Sequence, residues 1–155
     1  MPDTERLLTR LAIEELNAEF AYRVDHDLSH TVADLFTPEG SYGRADGPRS
    51  HGREAIRAAY ALRRAHGPRT ARHLFTNLRL EHESARRVRG TAIMLLFAQD
   101  GVPPLPAEPL AVADFEDVYE RGEDGRWRYA SRTIRSLFRD AGGRPVVLPL
   151  GQARA

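Results

Sequence analysis

Apolar residues recur at three- and four-residue intervals at Leu7, Leu8, Leu11, Ala12, Leu16 and Phe20, predicting an amphipathic helix from a cap at Asp3 or Thr4 to about Val24. A second stripe, Leu28, Val32, Leu35 and Phe36, predicts a shorter helix over 28–36 that stops at Thr37-Pro38-Glu39-Gly40. Ser41-Tyr42-Gly43 reads as a short strand, 44–51 as a loop, and 53–65 as a third helix ending near Gly67-Pro68. After Pro68 the period becomes strand-like. Segments 72–82, 88–99, 110–121 and 127–138 are rich in β-branched and aromatic residues and separated by turn signals. Arg121-Gly122-Glu123-Asp124-Gly125 predicts a hairpin turn, and the proline-rich stretch 102–109 an irregular loop. Leu74, Leu78 and Leu80 alternate on the first of these strands and predict an apolar outer sheet face. Ile93 to Phe97 are apolar on both faces, as a pocket wall over a buried sheet centre would be. The class is α+β: three N-terminal helices packed on a curved antiparallel sheet.

At 155 residues and 41% hydrophobic content the chain suits one domain, placed at 1–140, with a tail at 141–155. The tail carries Arg144-Pro145-Val146-Val147-Leu148-Pro149-Leu150, apolar enough to be expected over a pocket mouth or a neighbouring subunit. Twenty-three basic residues against 22 acidic give a net charge of +1, which offers no argument for nucleic acid or an anionic membrane. There is no cysteine, so disulfides, thiolate metal sites and cysteine nucleophiles are excluded together. The first residues lack a signal-peptide pattern and no apolar run reaches the roughly 20 residues of a membrane span. A cytoplasmic protein is expected.

Asp25 falls where the second stripe asks for a hydrophobe, and a carboxylate there is costly to bury unless paired. Two readings are open: a functional acid, or an N-cap for the following helix. His73, in Arg72-His73-Leu74-Phe75-Thr76-Asn77, is either a general base or a structural histidine with satisfied partners. Together they make chemical sense, because a carboxylate fixes the imidazole tautomer and stabilises the imidazolium formed when it takes a proton from carbon. Tyr22 and Tyr42 are pocket hydroxyls or tyrosines packed with the polar tip outward. Period-two alternation puts Trp127, Tyr129, Ser131, Thr133 and Arg135 on one face, opposite Arg128, Ala130, Arg132 and Ile134. Arg135 would then sit beside an indole and a phenol and bind an oxyanion or carboxylate; otherwise it is a surface arginine. Asp114, Glu116 and Asp117 supply a second acid or are solvated edge charges. His26 and His30, with Asp27 between them, have the spacing of a two-histidine metal face, but no third ligand accompanies them and no metal is expected.

Five segments stand in a recognisable order: Tyr22-Arg23-Val24-Asp25, Leu35-Phe36-Thr37-Pro38-Glu39-Gly40, Gly52-Arg53-Glu54-Ala55-Ile56, Arg72 to Asn77, and Tyr119-Glu120-Arg121 with Asp124-Gly125-Arg126-Trp127-Arg128. In these the chain resembles the SnoaL-like members of the nuclear transport factor 2 (NTF2)-like superfamily. That superfamily of cone-shaped α+β barrels includes scytalone dehydratase, ketosteroid isomerase, bile acid 7α-dehydratase and hexachlorocyclohexane dehydrochlorinase. It implies a hydrophobic pocket inside the cone, with Asp25 and His73 matching the Asp–His pair of the dehydratase and dehydrochlorinase members. It also implies Tyr22 and Arg135 as assisting groups and Phe20, Tyr42, Phe75, Met94, Leu96, Trp127 and Tyr129 as substrate-binding positions. Phe20 stands where the dehydrochlorinase has its pocket lysine, so that dehalogenation machinery is not reproduced. The implied function is a cofactor-independent lyase, a dehydratase, acting on a hydrophobic carbonyl-bearing ring compound. The alternatives are an isomerase or cyclase, or a domain that only binds. Relatives form dimers or trimers, so a homo-oligomer is expected, with no nucleic acid or membrane partner. The enzyme reading needs the Asp25 carboxylate within hydrogen-bond reach of His73 and an open space beside the ring.

Overall fold

Helix α1 (Asp3–Asp25) lies against the sheet through Thr9, Ile13, Leu16, Asn17 and Phe20, in a computed structural model that describes residues 2–139. Leu7, Leu8 and Leu11 are exposed, a correction to the predicted stripe. The roll of the helix follows Asn17, whose side chain is hydrogen-bonded to Tyr119, Tyr129 and Arg132 inside the fold. Holding that amide inward fixes which line of α1 meets the core.

The predicted 28–36 helix is a 3-10 helix over Ser29–Leu35 that buries Val32, Ala33 and Leu35. It leads into β1 (Phe36–Arg44), longer than the three residues expected, and β2 (Arg49–His51) occupies what read as a loop. The first half of β1 was hidden by Pro38 and Gly40, which read as breaks; β1 pairs parallel with the last strand and antiparallel with β2. Helix α2 (Gly52–Arg64) begins at Gly52 with φ of 78° and buries Ile56, Ala59 and Tyr60. The remaining strands, β3 (Arg69–Ser84), β4 (Arg87–Asp100), β5 (Ala111–Arg121) and β6 (Trp127–Arg139), form the predicted meander.

The six strands make one curved sheet in the order β2-β1-β6-β5-β4-β3, and it does not close: β2 and β3 are its edges. Apart from β1–β6 the pairing is antiparallel. The helices cover the concave face, and the core between them holds Ile13, Phe20, Val32, Phe36, Ile56, Met94, Phe115, Tyr119, Tyr129 and Ile134 among others. The tail at 141–155 lies outside the described residues.

Two β-bulges reset which side chains point inward. On β6, Val118 pairs with Ser131 while Tyr119 pairs with Tyr129, leaving Ala130 as an extra residue. Trp127 and Tyr129 face the core, but beyond the bulge it is Arg132 and Ile134 that do so. The expected face of Arg135 is therefore corrected: its side chain is exposed on the outer surface and paired with Glu116, Nε to Oε1 at 2.9 Å. On β3, two residues, Asn77 and Leu78, stand opposite Ala92, and Asn77 takes a φ of 54°. Phe75 points inward, as do Leu78 and Leu80, whereas Leu74 is exposed, so the three leucines expected on one face are divided.

Candidate active site

Helix α1 ends so as to aim one carboxylate at one strand. Asp27 adopts a left-handed φ of 61°, and the Leu28 N–H reaches back to the Arg23 carbonyl at 3.0 Å, the six-to-one bond of a Schellman end. Asp25 is thus the last residue of α1, and it does not cap the 3-10 helix, whose N-cap is Leu28 with no side-chain bond. Its carboxylate meets His73 twice. The His73 backbone N–H donates to Oδ2 at 2.8 Å, and the ring Nδ1 lies 2.7 Å from Oδ1. The side chains are only 4% and 12% exposed, for Asp25 and His73 respectively.

A carboxylate at a helix C-terminus opposes the macrodipole, so the two bonds from His73 do structural as well as chemical duty. An ionised carboxylate only accepts, so Nδ1 is the donor and neutral His73 keeps its lone pair on Nε2. Among the described residues Nε2 has no hydrogen-bond partner, and it is not one of the sealed, partnerless polar atoms. That nitrogen is free to act on a visiting molecule.

His73 borders two spaces. The first is an open groove of about 750 Å³ between α1 and β3, lined among others by Asn17, Tyr22, Asp25, His26, Phe75 and Leu78. The second is a hollow of about 90 Å³ on the opposite side, bounded by Tyr42, Tyr60, Ala71, Leu96 and Ala98, with Arg63, Arg64, Arg69 and Asp27 at its mouth. Tyr42 and Tyr60 stack there with centroids 6.1 Å apart and planes 3° from parallel. Burial pushes both phenols up from their ordinary value, and the hydrogen bond they share favours ionisation of Tyr42 over Tyr60. A base and a phenolic donor therefore line the same small space.

The other expected site residues are distributed as follows. Tyr22 is half-exposed on the groove rim, stacked on His26 at 4.3 Å, and away from the phenolic hollow. Met94 is buried and borders a small pocket on the far side with Arg44 and Ile134. Phe20, Trp127 and Tyr129 are packed into the core and line none of these spaces, and the rings of Phe20 and Tyr129 are spent on a buried cation. That cation is Arg132. Its guanidinium lies 4.0–5.0 Å from the centroids of Tyr129, Phe20, Phe115 and Phe75, and it is bidentate to Asp117 at 3.0 and 2.8 Å. Both side chains are 0% exposed, which corrects the expectation that Asp117 is a solvated edge charge. Asn17 and Tyr119 complete the network, Tyr119 donating to Asp117 at 2.7 Å. His26 bonds its own helix through the Tyr22 carbonyl and His30 approaches Arg64, so the two histidines are engaged separately.

The described residues contain no helix long and apolar enough to cross a membrane. A model of the SnoaL-like domain matches residues 5–133. The chain belongs to the SnoaL-like family. No curated protein matches it. This SnoaL-like chain is similar in structure to a scytalone dehydratase-like protein of Novosphingobium aromaticivorans, at 18% identity and a TM-score of 0.80 over 99% of this chain and 100% of that one. It is similar to LinA at 26% identity, TM-score 0.73, over 92% and 96% of the two chains. A type 2 LinA hexachlorocyclohexane dehydrochlorinase gives 21% identity and TM-score 0.73 over 88% and 90%.

Proposed function

We propose that this SnoaL-like protein is a cofactor-independent lyase, a dehydratase of a hydrophobic carbonyl-bearing ring compound. The observation that carries the reading is the His73 ring anchored through Nδ1 on a nearly buried carboxylate, with Nε2 unbonded and the residue lining a hollow that Tyr42 also lines. In this reading His73 Nε2 takes the proton from the carbon next to the substrate carbonyl. Asp25 holds the tautomer and balances the imidazolium that forms. The Tyr42 hydroxyl, backed by Tyr60, donates to the enolate oxygen. The enolate then collapses, the bond from the β-carbon to its hydroxyl breaks, and the imidazolium returns its proton to the departing oxygen, giving an enone and water. The substrate's own carbonyl stabilises the carbanion, so the chemistry asks for no cofactor. Tyr42 replaces Tyr22 and Arg135 as the assisting group, because those two side chains lie on the groove rim and on the outer face.

Incubation with a panel of cyclic hydroxyketones, read by mass spectrometry, should reveal loss of one water. His73→Ala and Asp25→Asn should each lower kcat by about 10²–10⁴, the usual worth of general acid–base catalysis. Turnover of such a substrate at wild-type rate by both variants would reject the assignment. A product of unchanged mass and altered structure would make the protein an isomerase using the same base, and retention of an unaltered ligand would make it a binding domain.

A further inference from the structure

A hollow of about 90 Å³ is far below the roughly 300 Å³ at which ligand pockets begin, so it takes only the reacting edge of a substrate and the rest must lie against the mouth. The mouth is built of arginines. Arg63, at the end of α2, is 11% exposed; one Nη is 2.9 Å from Asp100, while its Nε is sealed from solvent with no partner. Arg69, at the start of β3, is half-buried, its side chain has no hydrogen bond or ion pair among the described residues, and it feels both the repulsion of Arg63 and the weaker attraction of Asp100. Burial and that repulsion hold the Arg69 guanidinium below its ordinary value. Arg64 is exposed, and among the described residues its side chain meets only His30, at 3.4 Å. Two guanidiniums crowded together and left partly unpaired are costly, and an arriving anion relieves the cost.

We propose that the substrate is a carboxylic acid whose carboxylate docks on Arg63 and Arg69 while its carbonyl-bearing end enters the hollow at His73. The Arg69 fork, which has no side-chain partner among the described residues, offers the planar paired donors that a carboxylate accepts, and Arg63 adds a second positive charge beside it. Against the three guanidiniums stand Asp27 and Asp100, so one positive charge is in surplus, which suits a monoanion better than a phosphate dianion. Arg69 and His73 share a face of β3 four residues apart, about 13 Å along the strand. The acid therefore sits at the end of the substrate remote from the reacting carbon.

This assignment of substrate class rests on the Asp25–His73 reading, but its test does not require turnover. Calorimetric titration with 2-naphthoate and its uncharged counterpart 2-naphthamide should give at least tenfold tighter binding of the acid. Arg63→Gln and Arg69→Gln should each erase most of that preference, Arg69→Lys should keep part of it, and His73→Asn should leave it intact. Arg135→Gln, on the outer face, is the control for general charge loss. Equal or undetectable binding of both probes, or a preference unaltered in the two glutamine variants with native circular dichroism, would overturn the proposal. A naphthoate preference that depends on both arginines, with no water loss from any hydroxyketone, would sink the dehydratase reading and leave the anion site standing.

Discussion

At the residue scale the most expensive object in the fold is the Arg132–Asp117 pair, two full charges without solvent contact. Breaking a buried pair by removing one partner leaves an uncompensated charge and costs about 3–5 kcal/mol, whereas replacing both with apolar groups is often neutral. Arg132→Met is therefore expected to lower unfolding free energy by that amount in urea denaturation, and Arg132→Met with Asp117→Leu to recover much of it. A single variant as stable as wild type would refute the account. The buried phenols add a pH dependence. Burial raises Tyr42, Tyr60, Tyr119 and Tyr129 above 10.0, so the folded state favours their neutral form. Their contribution is complete below pH 10 and is lost as pH climbs through the raised folded values. An alkaline titration should show phenolate absorbance from these four growing together with loss of native circular dichroism; early, reversible ionisation in an intact fold would contradict it.

At the scale of elements, what could be read from sequence was what periodicity alone governs. The strands β3 to β6 lie within a few residues of their predicted bounds, and α2 within one. Periodicity does not announce a bulge, and each bulge displaced a prediction: Ala130 moved Arg135 outward and Arg132 inward, and Asn77 separated Leu74 from Leu78 and Leu80. The signal was present as a parity change, since Trp127 and Tyr129 are odd-numbered apolar positions and Ile134 an even one. Asp117 likewise shares the parity of Phe115 and Tyr119, which marks it as inward-facing. Of the candidate site, the Asp25–His73 contact was legible, while the Tyr60 partnership and the arginine mouth were not, because they depend on how α2 packs against β1 and the 3-10 helix. The Asn77 bulge is testable. A φ of 54° costs a β-branched residue about 1–2 kcal/mol more than a residue that tolerates the left-handed region. Asn77→Val should destabilise by that order in thermal unfolding and Asn77→Gly should not; equal stability of the two would argue against the bulge.

The whole molecule leaves one side of its sheet uncovered by its own helices. Across four strands the outward residues Leu74, Leu95, Val112 and Phe138 stand directly opposite one another, an apolar row running over β3, β4, β5 and β6. Leu74 and Phe138 are exposed and the middle two half-buried. Contiguous apolar surface of this kind is a common mark of an interface. A further copy of the same chain is the partner whose surface is guaranteed to carry the matching row, which closes as a dimer where the row meets itself and as a trimer ring where it meets a neighbouring patch head to tail. Sedimentation should accordingly give a dimer or trimer. Leu74→Glu, on an edge strand where the charge is solvated in the free subunit, should convert it to monomer with circular dichroism unchanged. Because Leu74 lies between His73 and Phe75 and points to the opposite face of the strand, the same variant should keep its Asp25–His73 geometry. A wild-type monomer, or an oligomer indifferent to Leu74→Glu, would show that the row is merely exposed.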